Sequence, residues 1–184
     1  SGADNSLKYI KDNGKLVMGL DDTFAPMGFT DDNGDIIGFD VDLAKAVTEK
    51  LGVELVLQPV KWEAKEQELA TKNIDCIWNG FTINGREDDY TWSDPYINNE
   101  QVIVVAKDSG IEKLADLKGK NVVVQAASAA LDALNNDDNK DLKDSFASLT
   151  ENPDYNTAFM NIDSGAADAV AVDIGVANYQ LSQR

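Results

Sequence analysis

Along most of this chain, short runs of apolar residues alternate with stretches in which apolar positions recur every three or four residues. Bounded apolar runs fit buried strands and the wider spacing fits amphipathic helices, so the alternation predicts an α/β fold with mostly parallel sheets. "KLVMGL" (15–20) reads as a buried strand, followed by a loop in which "DDNGD" marks a tight hairpin at Asn33-Gly34. "DVDLAKAVTEKLG" reads as a helix. Asp40 can cap it, Phe39, Leu43, Ala46, Val47 and Leu51 form one apolar face, and Gly52 ends it. "VELVLQPV" completes a βαβ unit, and "EAKEQELATKN" and "IDCIWNG" follow as a short helix and a strand.

Near residue 100 the pattern restarts. "QVIVVAK" is a strand that could link two domains, and "IEKLADLKGKNVVVQAASAALDAL" contains a helical turn, a strand and a helix. Its "GKNVVVQ" echoes the opening "GKLVMGL" too weakly to count as a repeat. "NNDDNKD" (135–141) reads as a solvated loop, "NTAFMNIDSG" as a helix ending at Gly165, and "AVAVD" and "IGVANYQLSQ" as a last strand and helix. The second half thus offers about three strands, and nothing after "YQLSQR" signals a stop; the expectation is a fragment, or a chain completed by another. The opening "SGADNS" has no basic or apolar leader pattern and reads as a mature or trimmed start, with "SGA" set aside as a tag remnant. No apolar run approaches the roughly 20 residues that span a bilayer.

Composition narrows the chemistry. The 184 residues suit one large domain or two small ones, and 43% hydrophobic content is enough for a buried core. With 33 Asp+Glu against 16 Lys+Arg, the net charge of −17 repels nucleic acid and anionic membrane surfaces, although the acidity alone could serve solubility. There is no histidine, which removes His-based acid/base, nucleophile and metal chemistry. The single cysteine, Cys76, lies in an apolar run and reads as a buried structural thiol; no metal or cofactor is implied.

Among the 16 cations only Arg86 and Arg184 are arginines, and Arg86 stands in the loop "GFTINGREDDY". A solvated charge could have been another lysine; a planar fork that grips a carboxylate bidentately could not. Ligands of parallel α/β sheets sit beyond the carboxyl ends of the strands. Asp21, Asp22 and Phe24 lie there after the first strand, Trp62 after the next, and Asn79, Gly80, Thr82 and Arg86 after "IDCIW". In the second half Gln125 and Ser128 follow "NVVV" and Asp173 follows "AVAV". Such a set could hold a zwitterion, with Arg86, the Thr82 hydroxyl and loop N–H groups on the α-carboxylate and Asp173 on the α-ammonium. Each residue also has a plainer role. Arg86 could pair with Glu87, Asp88 or Asp89, Phe24 and Trp62 could be core or rim aromatics, and Asp173 could cap the helix at Ile174. Adjacent Asp21 and Asp22 point to opposite sides of an extended segment, and "GFTING" lacks the Lys-Ser/Thr ending of a phosphate loop.

The strings "FAPMGF", "GFDVDLAKA", "WSDPY" and "DLKGK", in this order and spacing, resemble the bacterial extracellular solute-binding proteins of polar amino-acid ABC uptake systems, from about Lys15 to Tyr179. The resemblance implies the type II periplasmic-binding-protein fold, an α/β flytrap of two lobes with mostly parallel sheets joined by crossing strands. The first lobe would be 1–102 and the second 103–184, with the segment that returns to the first lobe missing beyond the carboxyl end. It implies binding of one amino acid by a monomer, without catalysis, and delivery to a membrane permease. Asp21 and the stacking Phe24 would belong to the first loop, and Trp62 would lie over the ligand side chain. Asn79, Gly80, Thr82 and Arg86 would cradle the carboxylate, Gln125, Ser128 and Ala129 would supply second-lobe contacts, and Asp173 would accept the ammonium. Two departures stand out: Ala127, Ser128 and Ala129 replace a frequent Gly-Thr-Thr, and the loop from Thr82 to Arg86 is one residue shorter than in some members. Loss of a hydroxyl there would leave more of the grip to backbone N–H groups. Periplasmic and lipid-anchored surface placement both fit. A cyclohexadienyl-dehydratase-like lyase and the sensor domain of a receptor are the alternatives on the same fold.

Overall fold

In the computed structural model, which describes residues 4–184, the apolar run "KLVMGL" forms β1 (Lys15–Leu20). It follows α1 (Ser6–Asn13), a helix not foreseen from the sequence. After β1 come β2 (Thr23–Phe24), β3 (Gly28–Thr30) and β4 (Ile36–Ile37), then α2 (Phe39–Leu51) and β5 (Glu54–Pro59). A 3-10 turn at Trp62–Ala64 leads into α3 (Lys65–Ala70) and β6 (Cys76–Ile77). β1 lies between β5 and β6, parallel to both, so the βαβ unit expected from the sequence is present, although "IDCIWNG" contributes only two strand residues. β2, β3 and β4 make a separate antiparallel sheet. Its hairpin is a three-residue loop rather than the two-residue type: the Gly34 N–H donates to Asp31 O (3.0 Å), and Gly34 takes φ +86°. The Asp31 carboxylate accepts from the N–H groups of Asn33 and Asp35, both at 2.9 Å.

Two expectations about α2 are corrected. Asp40 does not cap it. The cap position is Gly38, and the first helical N–H groups of Phe39 and Asp40 already donate to the carbonyls of Pro26 and Met27 at 2.9 Å. Gly38 is required there, with φ +135° and a backbone so close that a Cβ would lie 2.4 Å from the Met27 oxygen. The buried residues are Asp40, Val41, Ala44 and Thr48, with Leu43, Val47 and Leu51 half-buried, while Ala46 is exposed and Phe39 is 48% exposed. Val41 and Ala44 pack with Met18 and Leu20 against the sheet. Thr48 tolerates burial because its hydroxyl donates to Ala44 O (2.9 Å).

The remaining chain builds a four-stranded sheet in the order β7–β10–β8–β9, where β7 is Gln101–Val105, β8 Asn121–Gln125, β9 Ser148–Asn152 and β10 Ala169–Asp173. β7 runs antiparallel to β10; the other pairings are parallel. Between and after these strands lie α4 (Ala129–Asn135), α5 (Lys140–Ser145), α6 (Tyr155–Asp163) and α7 (Ile174–Ser182). The segment 135–141, expected as a loop, instead contains a 3-10 turn and the start of α5, and β9 was not foreseen. β10 is buried along its length, with Ala171 packed against Val124, Ala130 and Leu134. The chain falls into two units, one ending at Phe81 and one from Thr82 to Arg184, so the segment 82–102 groups with the second. Among the described residues no helix is long and apolar enough to cross a membrane.

Candidate functional site

In the first unit Asp21, Phe24, Trp62 and Asn79 are buried and Asp22 and Gly80 half-buried. The Asp21 carboxylate accepts from the Thr23 N–H (2.9 Å) and hydroxyl (2.6 Å), which turns the chain into β2. Phe24 packs directly on Gly80: a Cβ at residue 80 would lie 2.9 Å from the ring, so the glycine admits the aromatic. Asn79 is buried, and its Oδ1 has no hydrogen-bond partner among the described residues. An orphaned buried acceptor calls for a donor. Trp62 is buried and meets Phe81 edge-to-face, with ring centroids 5.0 Å apart. Cys76, half-buried beside this sheet, has its thiol pushed up to about 12 by burial and by the charge of Asp75, as suits a structural rather than a nucleophilic thiol.

The loop bearing Arg86 is built to hold it. Ile83–Arg86 forms a turn closed by the Arg86 N–H on Ile83 O (2.9 Å), with Gly85 at φ +77° as the third residue, which only glycine takes without strain. The Arg86 carbonyl accepts from the Trp92 indole N–H (3.1 Å). The Arg86 side chain is 11% exposed and pairs with an acid distant in sequence. It donates to Thr82 O (3.2 Å), Ala127 O (3.1 Å) and the Asp132 carboxylate (2.8 Å). Asp132 itself is 57% exposed. Ala127 takes φ +56°, a conformation that favours glycine, and it directs its carbonyl at Arg86.

Gln125, at the end of β8, is buried and its amide donates to Pro153 O (3.2 Å). Ser128 is the cap of α4, its hydroxyl accepting from the Leu131 N–H (3.1 Å), and Ala129 begins that helix. Asp173 occupies the cap position of α7, yet its side chain makes no capping bond. Instead its Oδ1 accepts from the amides of Asn99 (2.5 Å) and Gln101, and Asn99 also donates to the Thr82 hydroxyl (3.3 Å). Burial pushes the Asp173 carboxyl above the usual carboxylate range, against the lowering effect of those two amides and of the Arg86 charge. Asn99 and Gln101 were missed from the sequence because the register that sets Gln101 opposite Asp173 belongs to an antiparallel pairing not evident from local pattern. Thr82, Asn99, Gln101 and Asp173 thus form one polar cluster within the second unit, under the electrostatic influence of Arg86.

Residues 16–152 match the family model described as bacterial extracellular solute-binding proteins, family 3. The chain is 40% identical over 121 residues to the L-cystine-binding protein TcyJ of Escherichia coli (strain K12), a match that takes in 64% of this chain and 46% of the relative. It is 38% identical over 115 residues to the arginine-binding extracellular protein ArtP of Bacillus subtilis (strain 168), covering 62% and 45%. Against the crystal structure of an ABC uptake transporter substrate-binding protein from Streptococcus pneumoniae with bound histidine, the TM-score is 0.93 at 36% identity, over 100% of this chain and 75% of that one. The matched stretch is just under half the length of these curated relatives. The fold is the α/β fold of the type II periplasmic binding proteins. The chain therefore belongs to the bacterial extracellular solute-binding proteins, family 3.

Proposed function

We propose that this chain binds one amino acid outside the cytoplasm, for delivery to an ABC-type membrane permease. The observation that carries the reading is the second unit's pairing of a buried carboxylate with a held guanidinium. Asp173, fixed by Asn99 and Gln101 and penalised by burial, is a buried anion that gains from a cationic partner. Arg86 is positioned by its turn, and it is ion-paired with the half-exposed Asp132, a weak partner that a ligand carboxylate can displace. A zwitterionic α-amino acid supplies both charges. Asp173 takes the ammonium, Arg86 takes the carboxylate with Thr82, and Gln125, Ser128 and Ala129 border the same end of the sheet. In the first unit, Asn79 offers its orphaned Oδ1 to an N–H group of the ligand, a better use of that atom than lining a carboxylate cradle. Asp21 and Gly80 hold the loops, and Phe24 and Trp62 face the ligand side chain.

Relatives that bind cystine, arginine and histidine support the amino-acid class. The family resemblance puts the lobe limits at 1–102 and 103–184, which counts Thr82 and Arg86 with the first lobe, whereas by their contacts they group with the second unit. Ligand-driven closure, a monomeric state and lipid anchoring are parts of the same proposal and rest on that resemblance. Closure that moved a population from 1:99 to 99:1 would need the ligand to favour the closed state by about 5.5 kcal/mol. The chain is not an enzyme on this reading: Asp173 serves as a counter-ion, not as an acid poised over a leaving group. Isothermal titration calorimetry on Arg86→Ala tests the clamp. The preferred amino acid should bind at least about 100-fold more weakly, since breaking a buried charge pair costs about 3 kcal/mol or more. Unchanged affinity would remove Arg86 from the site.

A further inference from the structure

Lys65 is a cation in a place where cations are rare. Its side chain is 3% exposed, although it belongs to the sequence "WEAKEQEL", which reads as a solvated helix face. Its Nζ donates to Trp62 O (3.3 Å) and lies 3.2 Å from the carboxylate of Glu66, which is 57% exposed. It stands 4.8 Å from the centroid of the Trp62 ring and 5.8 Å from that of Phe81, the two rings that meet edge-to-face. A methionine or leucine could fill the same volume without removing a charge from water. The ammonium is retained against a desolvation cost, and the Trp62 ring is one of the groups its charge acts on.

We propose that Lys65 sets the charge selectivity of the side-chain subsite, excluding cationic side chains and admitting neutral hydrogen-bonding ones. This rests on the reading above, in which Trp62 faces the ligand side chain. An indole whose π system already attracts one cation is a poor partner for a second, and the two like charges repel across a poorly screened interior. The discrimination has to be local. The whole chain carries −17 charges and would favour a cationic ligand at long range. The protein then differs in specificity from its arginine-binding relative while keeping the same clamp for the α-carboxylate and α-ammonium.

Arginine and citrulline have nearly the same shape and differ in side-chain charge, so they are the probes. Calorimetry uses the complete natural chain, as wild type, Lys65→Met and Lys65→Gln, with arginine, citrulline and glutamine. The wild type should bind arginine at least about tenfold more weakly than the better of the two neutral ligands. In either variant arginine should gain about tenfold or more, with the neutral ligands changing less than about threefold. A lysine that only supports the Trp62 turn would weaken all ligands together and leave their ratio unmoved. If the wild type binds arginine as tightly as citrulline, or arginine gains nothing in the variant that folds, the assignment to Lys65 is overturned and amino-acid binding stands. If the wild type binds no amino acid at all, the binding reading falls, and this inference with it.

Discussion

Asp173 separates two roles that a residue at a helix start can play. Its side chain leaves the end of α7 uncapped and accepts instead from Asn99 and Gln101. Replacement by asparagine keeps Oδ1 as the acceptor of both amides and removes the charge. Because burial raises the Asp173 pKa in the folded state above its ordinary 3.8, the folded protein binds more protons than the unfolded one just above that pH. The stabilisation by the protonated form is therefore complete below pH 3.8 and is lost as pH rises through the raised value. Asp173→Asn should escape that loss. In scanning calorimetry from about pH 4 to about pH 8, its melting temperature should draw level with or exceed that of the unliganded wild type as pH rises. Its affinity for the amino acid should fall at least about 100-fold. A variant that melts lower at every pH would show that the charge supports the fold. Arg86 and Asp173 stand out in the sequence as candidates because a rare residue type and a strand end each point to chemistry. Asn99, Gln101 and Lys65 do not. Gln101 depends on strand register, Asn99 lies just before that strand, and Lys65 is an ordinary lysine until its neighbours bury it.

At the scale of elements, the strands β1, β5, β8 and β10 follow from their apolar runs, and Gly52 and Gly165 take the positive φ that helix ends favour. The misjudged elements share a cause. In α2 the expected face of Phe39, Leu43, Ala46, Val47 and Leu51 gives way to one centred on Val41, Ala44 and Thr48, whose small side chains let the helix approach the sheet closely. α5 is rich in charge and β9 has only one strongly apolar residue, Leu149, so neither carries a periodic signal; tertiary pairing with β8 makes β9 a strand. Urea denaturation distinguishes the two faces of α2. Val41→Ala should lower stability by about 2 kcal/mol, and Ala46→Ser should change it by less than about 0.5 kcal/mol. The reverse order would restore the face expected from the sequence.

For the whole molecule, the α/β class and the family were both readable from ordered motifs, and residues 16–152 match the family model. The strand ends carry the candidate residues, as the geometry of parallel sheets requires, and the acidic surface imposes a long-range field that local groups such as Lys65 must overcome. The central claim is recognition of a free α-amino acid through both of its backbone charges. Calorimetry of the complete natural chain against the twenty amino acids and cystine, followed by the N-acetyl and carboxamide derivatives of the best binder, tests it most directly. One amino acid should bind with a Kd of about 1 μM or tighter and be recovered unchanged, and each derivative should lose at least about 100-fold. Absence of binding by every amino acid, or derivatives that bind as well as the parent, would contradict the account.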